Sequence, residues 1–576
     1  MGKSSWRLED LASLLLLLLF VGLAWCFANG KWSLNSWEYP TAYTDTRESD
    51  VLGMLGMFRA AERGYYIPLA PKYVPDLGAP EGANWSRLPT IEELFYFVPG
   101  LVAKAVGIFV ALNLKLLVAH LLAALSFFVA ARILKCTKMW AFVGGLAFGL
   151  APFLFSESPH HSVVIYVWHL PLMVLVWEWL RSGDLRCHGG HFWFAIVVAI
   201  LTGLQNVYYS AVFCQLVILI GGIRALRDRK VHSLVTAFAI LGACAFSFTL
   251  MMLDTLLAKF FESGIEQQAL IDRPYKWMEI YALKLIDCFV PPLKHQFEAF
   301  RNFSAFYQAN SVLQNEGAYM GIIGIVSLAL LIGESFRRML FNEAEKVPPE
   351  AWMILWLFLV YTTGGLNSMA GILGFTLFRA GYRVVIVILA IVLLFAARYL
   401  SEKLPAGSPR ALWWGITACF LIFWDQVPLP PSPQQRETIK RLVESDRTFV
   451  AEVESLLPIG ATVLQLPLMP FPEYPAPGLT PYEHMRPYLY AKSLRFSFGA
   501  MKGSPQWNWQ KELSEMNFDQ AFEFIKSKGF KAIYVNRKGF QDGGEALLAA
   551  FQEKSGGRLI QSSTGDLAMI VFPSTD

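Results

Sequence analysis

The sequence predicts an α-helical polytopic membrane protein of about eleven spans, followed by a soluble α/β domain at the C-terminal end. Three observations predict it. Hydrophobic residues make up 55% of the chain and charged residues 16%, far from the balance of a soluble globular protein. Eleven apolar runs are long enough to reach across a hydrocarbon core of about 30 Å, or most of it. Lys and Arg collect in alternate connecting segments, as the positive-inside rule requires.

The spans fall near 11–28, 109–133, 139–156, 162–180, 192–205, 207–223, 233–257, 318–336, 351–367, 381–397 and 411–425. With the N-terminus inside, the inward segments carry Lys3 and Arg7, then Arg132, Lys135 and Lys138, then Arg181 and Arg186. Arg224, Arg227, Arg229 and Lys230 follow, then Arg337, Arg338 and Lys346, and finally Arg398, Lys403 and Arg410. The short outward turns near 156–161, 204–209 and 364–377 carry no Lys or Arg. The first run is read as a retained span rather than a cleaved leader. Residues 93–106 are apolar but interrupted by Pro99-Gly100, and are read as a membrane-surface helix. Counting them as a span would throw Arg132, Lys135 and Lys138 outside. The transmembrane domain is thus 1–427, with outer loops at 29–108 and 258–317. Reporter fusions after Lys230 and after Ser432 are expected to report opposite sides of the membrane; two cytoplasmic signals would overturn the topology.

From Pro428 the texture changes. Pro428, Pro430, Pro431 and Pro433 make a stiff linker. Residues 434–457 have helical periodicity, 461–466 read as a buried strand, 518–528 as a helix and 531–535 as a strand. A helix over 544–554 and strands over 559–561 and 567–572 complete an extracytoplasmic α/β domain spanning 428–576. The seven cysteines show no paired metal spacing, and the C-terminal segment has none, which argues against a disulfide or zinc framework. The net charge of +4 is spread over inward loops, so no nucleic-acid surface is predicted.

Polar residues that could carry chemistry gather at outward ends. In Tyr43-Thr44-Asp45-Thr46-Arg47-Glu48-Ser49-Asp50, Asp50 opens a helical stretch. An acid there is either a helix cap or a general base at the membrane face. Leu77 to Trp85 is a glycine- and proline-rich turn that suits the wall of a cavity. Ser156-Glu157-Ser158-Pro159-His160-His161 ends a span; adjacent histidines point different ways, so a two-histidine metal site is disfavoured. Gln205-Asn206-Val207-Tyr208-Tyr209 forms a polar, aromatic apex. Glu316-Gly317-Ala318-Tyr319-Met320-Gly321 precedes a span. Arg273, Arg379 and Arg383 break the charge rule by lying outside, where a guanidinium fork matches a lipid phosphate or snorkels to head groups. Asp50, His160, Asn206, Tyr208, Glu316 and Arg383 are expected to line one outer cavity.

In this order the parts resemble bacterial membrane glycosyltransferases of the C superfamily (GT-C), in an uncharacterised branch. The resemblance is carried by Ser49-Asp50-Val51, Gly78-Ala79-Pro80-Glu81-Gly82, Pro159-His160-His161, Asn206-Val207-Tyr208-Tyr209, Glu316 to Gly321 and Phe378-Arg379-Ala380-Gly381-Tyr382-Arg383. Phe471-Pro472-Glu473 and Lys492 to Gly499 extend it into the tail. It implies an inverting enzyme of the inner membrane that takes a sugar from a polyprenyl-phosphate donor and gives it to a glycan, lipid or protein acceptor. By position the general base would be Asp50, with Asp45 its rival. The donor phosphate would be held by residues among His160, His161, Arg273, Arg379 and Arg383, with Asn206, Tyr208, Glu316 and Tyr319 around the substrate. No cofactor is required, although some relatives use a divalent ion, which Asp45, Glu48 and Asp50 could hold. A lipid or sugar transporter and a non-catalytic assembly protein are the rival readings. Transporters tend to show inverted repeats, of which none is evident; an intact first-loop acid favours the enzyme over the scaffold.

Overall fold

The computed structural model describes residues 8–44, 50–185, 188–229, 232–261, 273–312, 315–405, 407–472 and 476–573. Long apolar runs without helix breakers form helices because a backbone in lipid must satisfy its own hydrogen bonds. Among the described residues, six helical stretches are long and apolar enough to cross a membrane by length and composition: Leu8–Asn29, Ile108–Ile133, Lys138–Glu157, Val207–Asp228, His232–Met251 and Gly381–Lys403. Shorter or more polar helices occupy the other expected spans: Leu170–Ser182, Gly190–Gly203, Gly321–Leu340, Pro349–Tyr361 and Pro409–Gln426. The chain is a multi-pass membrane protein.

Several expected boundaries shift, each for a local reason. The 162–180 run is helical only from Leu170, with Pro171 in its first turn. Residues 162–169 run as turns, and Ser162 there spends its carbonyl and hydroxyl on the Lys115 ammonium. The 351–367 run stops at Tyr361, before Gly364-Gly365, and a short helix, Leu366–Ile372, follows. The 233–257 run is two helices, His232–Met251 and Leu253–Phe261. The 192–223 run bends at Gln205-Asn206, both of which are buried.

The spans sort their polar residues to two ends. One end holds Asp10 with Arg132, Glu178 with Arg181 and Arg398, and Glu334 with Arg337 and Arg338. The other end meets the first loop and the C-terminal segment. There the helix Val51–Glu62 is wedged between two partners. Its Gly53 lies against the Tyr482 ring and its Gly56 against Met485, where a Cβ would come within 2.9 and 2.8 Å. On the other side Gly100, in the Pro99-containing helix Leu94–Val106, lies so close to Ala61 that a Cβ would meet it at 2.4 Å. A second tie is ionic: Lys72, buried, pairs with Glu93 and with Asp254 at the start of Leu253–Phe261. A third runs from Tyr43, whose hydroxyl donates to Asp446 at 2.6 Å; Asp446 also takes a two-pronged bond from fully buried Arg486, at 2.8 and 2.6 Å.

The C-terminal segment forms one five-stranded sheet in the order Arg495–Phe496, Thr462–Leu466, Ala532–Asn536, Leu567–Val571, Arg558–Gln561. The first three strands are parallel, and the last two join antiparallel. Side chains alternate between two faces along each strand. Leu464, Ile533, Val535, Ala568 and Ile570 face a core built by Trp509, Phe522, Ile525, Leu548 and Phe551. Val463, Tyr534 and Met569 face the other way, into a core that continues through Val450 and Val453, Phe471 and Trp85 to Phe58 of the first loop and the spans. Burial on both faces explains why these strands read as continuous apolar runs. The helix Pro433–Leu456 begins with a capping box of Ser432 and Gln435. Three elements escaped the sequence reading: the helix Met485–Tyr490, the two-residue strand Arg495–Phe496 and the helix Pro505–Glu515. The first two are too short to show a period; the third is mostly polar.

Candidate active site

Asp50 stands at the start of Val51–Glu62, and its carbonyl closes the first turn by accepting from Met54 N–H at 2.9 Å. Its side chain makes no capping hydrogen bond. Its backbone N–H donates to the His160 carbonyl at 3.1 Å, so the first-loop acid and the span-end histidines are brought together across 110 residues of sequence. His161 N–H donates to the Glu157 carbonyl at 2.7 Å. Glu157 itself, 5% exposed, accepts from the Tyr382 hydroxyl at 2.7 Å and faces Arg383 Nη2 at 3.6 Å and His161 Nδ1 at 3.6 Å.

Arg379 and Arg383 lie along this wall. Arg383 sits over the Tyr208 ring at 5.3 Å and the Tyr382 ring at 5.8 Å, while Arg379 sits over the Trp277 ring at 4.8 Å. Arg383 Nε and Arg379 Nη1 are buried and make no hydrogen bond within the protein, and neither does Glu157 Oε2. Buried donors are normally spent. The Tyr208 hydroxyl accepts from Ala380 N–H at 3.1 Å and donates to the Leu377 carbonyl at 3.3 Å, which fixes the arginine-bearing turn against the apex. Asn206 caps the Val207–Asp228 helix by accepting from Tyr208 N–H, and its amide donates to Glu92 at 2.7 Å. Burial raises the Glu92 carboxyl above its usual range; the Asn206 hydrogen bond and the Arg383 charge oppose that shift.

Of the residues singled out in the sequence, Asp50, His160, His161, Arg379, Arg383, Asn206 and Tyr208 form this connected wall. The Glu316–Ala318 turn packs on the Pro152–Glu157 helix, with Gly317 so close that a Cβ there would lie 3.0 Å from Glu157 Oε1; the Glu316 side chain is outside the described residues. Arg273 precedes the short helix Lys276–Ile280 that carries Trp277. Tyr319 is committed elsewhere: its hydroxyl donates to Asp425 at 2.6 Å, in a group with His295 and the Ile322 N–H at the end of Pro409–Gln426. Asp45 and Glu48 lie outside the described residues. Among the described residues no cluster of three or more His, Cys, Asp or Glu side chains is placed to hold a metal.

Three residues of the wall went unweighed in the sequence. Glu157 stood inside a motif read for its histidines. Glu92 stood at the edge of an apolar helix. Lys115 carries the plainest signal, a charge deep within the apolar run of Ile108–Ile133 rather than at its end. It is buried, donates to Ser162 O at 3.2 Å and lies 3.5 Å from Met54 Sδ, one turn from Asp50.

Burial of its ring lowers the His161 pKa to about 4; Glu157 opposes the shift and the Arg383 charge adds to it. The folded chain therefore holds His161 neutral where the unfolded chain, at about 6.5, begins to bind a proton. The contribution is full above pH 6.5 and is lost as pH falls toward 4. The thermal midpoint of wild type is expected to drop through that window, and His161→Gln to lose part of that drop while keeping the same midpoint trend above pH 7. Equal slopes in a melting series across pH 7.5–4.5 would contradict this.

No family model and no curated protein matches the chain. Among solved structures, the oligosaccharyltransferase of Archaeoglobus fulgidus, crystallised with Zn and sulfate, is similar over 96% of this chain and 72% of its own, at 11% identity and a TM-score of 0.44. ArnT from Cupriavidus metallidurans, bound to undecaprenyl phosphate, is similar over 97% of this chain and 98% of its own, at 11% identity and a TM-score of 0.42. Both neighbours are polytopic membrane glycosyltransferases of the GT-C type. At that identity and with TM-scores below 0.5, the likenesses transfer neither fold nor function to this chain.

Proposed function

We propose that the chain is a membrane glycosyltransferase that moves a sugar from a polyprenyl-monophosphate donor to an acceptor hydroxyl, with inversion, at the outer face of an inner membrane. The N-terminus is cytoplasmic, 1–427 carries the membrane-embedded site and 428–576 is an extracytoplasmic domain. The observation that carries the reading is the pair of outward arginines. Arg379 and Arg383 each bury an N–H that the protein leaves unbonded, on a wall that also holds the start of the Asp50 helix. Guanidinium donors of this kind match the oxygens of a phosphate that gains negative charge as the sugar leaves.

In this reading Asp50, or Asp45, takes the proton from the acceptor hydroxyl as its oxygen attacks the anomeric carbon from the face opposite the phosphate. The C–O bond to the phosphate breaks, and the electron pair stays on the lipid phosphate against Arg383 and Arg379. Asn206, spent on Tyr208 N–H and Glu92, positions Glu92 toward the sugar. The chemistry needs no cofactor; a divalent ion held by Asp45, Glu48 and Asp50 would assist it.

The test is release of polyprenyl phosphate from purified protein in vesicles, given a panel of polyprenyl-phosphate hexoses, pentoses and amino sugars. Release from at least one donor, dependent on added acceptor extract, is expected. No release, together with no saturable binding of polyprenyl phosphate, would overturn the reading.

A further inference from the structure

The outer segment after Leu253–Phe261 contains an amphipathic helix, Glu298–Asn310, that the proposed reaction does not use. Its register separates two faces. Glu298, Arg301 and Gln308 fall on one side, while Asn302 sits one turn before Phe306. Phe297, just before the helix, with Phe300, Phe303 and Phe306, falls on the other. Part of the apolar side is spent on the protein: the Phe297 and Phe300 rings pack on Trp424 at 5.7 and 5.8 Å. Ser304 is buried, and Tyr307 donates to Asp287 at 2.9 Å. The rest is open, with Phe303 49% and Phe306 67% exposed. A water-facing surface rarely presents such a strip.

The position of the helix identifies what covers the strip. Trp424 lies in the last turns of Pro409–Gln426, and the same end is fastened by Gln296, whose amide donates to the carbonyls of Phe423 at 3.0 Å and Val427 at 2.8 Å. Further along, that membrane helix turns Trp413, Trp414, Ile416 and Phe420 outward. The phenylalanine strip therefore continues an apolar surface that already faces lipid, at the level where the membrane helix ends. We infer that Glu298–Asn310 lies in the plane of the bilayer surface, with Phe303 and Phe306 in the acyl–headgroup boundary and Gln308 toward water. Interfacial helices of this pattern bind lipid through apolar area on one face.

The test is photocrosslinking of the full chain in phosphatidylethanolamine–phosphatidylglycerol vesicles. p-Benzoylphenylalanine replaces Phe303 or Phe306, or Gln308 on the opposite face; the first two are aromatic-for-aromatic changes at exposed sites, so folding is preserved. After irradiation, mass spectrometry is expected to find phospholipid adducts on peptides labelled at 303 and 306, and only background at 308. Lipid adducts at all three sites in equal amount, or none at 306, would overturn the placement. Crosslinks from 306 to a second copy of the chain would also overturn it and make the strip a protein interface. None of these outcomes depends on the chain being a glycosyltransferase.

Discussion

Asp50→Asn is expected to lower sugar transfer by about 10²–10⁴-fold, the usual contribution of a positioned general base, with the protein still folded and inserted. Asn caps a helix about as well as Asp, so a capping role alone forecasts a silent variant. The Asp50 side chain makes no capping hydrogen bond, so that role has no contact to lose. The backbone tie from Asp50 N–H to His160 survives the change, which keeps the wall assembled. Binding of polyprenyl phosphate to Asp50→Asn is expected to match wild type, since the phosphate is assigned to arginine. Asp45→Asn is the paired control. Full activity of Asp50→Asn moves the base to Asp45; full activity of both and of the double variant ends the case for a first-loop base.

Arg383→Ala is expected to do the reverse and weaken donor binding. Removing a charged partner from a buried bonded pair costs about 2–5 kcal/mol, or roughly 30- to 5,000-fold in affinity. Part of that loss would come through Glu157, which faces Arg383 at 3.6 Å and keeps only the Tyr382 hydroxyl and His161 when the guanidinium goes. Arg383→Lys separates the two contributions: a lysine restores charge but not the fork, so partial recovery marks geometry and full recovery marks charge alone. Titration with polyprenyl phosphate in detergent reads both variants against wild type, and unchanged affinity in Arg383→Ala would remove the arginine from the site.

How far the sequence carried depends on where each signal came from. Helical bodies and the strands of the tail were legible because long apolar periods and doubly buried runs leave their mark in one stretch of chain. Val51–Glu62 was also legible, but its tight packing was not: Gly53, Gly56 and Gly100 look like weak helix formers until Tyr482, Met485 and Ala61 are seen against them. The wall of the site was half legible. Outward arginines and the Asn206-Tyr208 apex stood out as polar residues at span ends. Tyr319 stood out for the same reason, yet its hydroxyl serves Asp425. Glu157 and Lys115 are harder to find because their partners, Arg383 and Ser162, come from other segments of the chain. The joining of the tail to the first loop through Arg486, Asp446 and Tyr43 involves partners about 400 residues apart, and no local pattern announces it.

The proposed function requires a lipid phosphate to bind at the wall between the arginines and Asp50. A structure of the vesicle- or nanodisc-embedded chain with polyprenyl phosphate tests it most directly. Phosphate oxygens are expected at about 3 Å from the guanidinium nitrogens of Arg383, with the Asp50 carboxylate facing the same space from the helix start. Phosphate bound instead at the opposite end of the spans, on Arg338 and Arg398 beside Glu334 and Glu350, would contradict it.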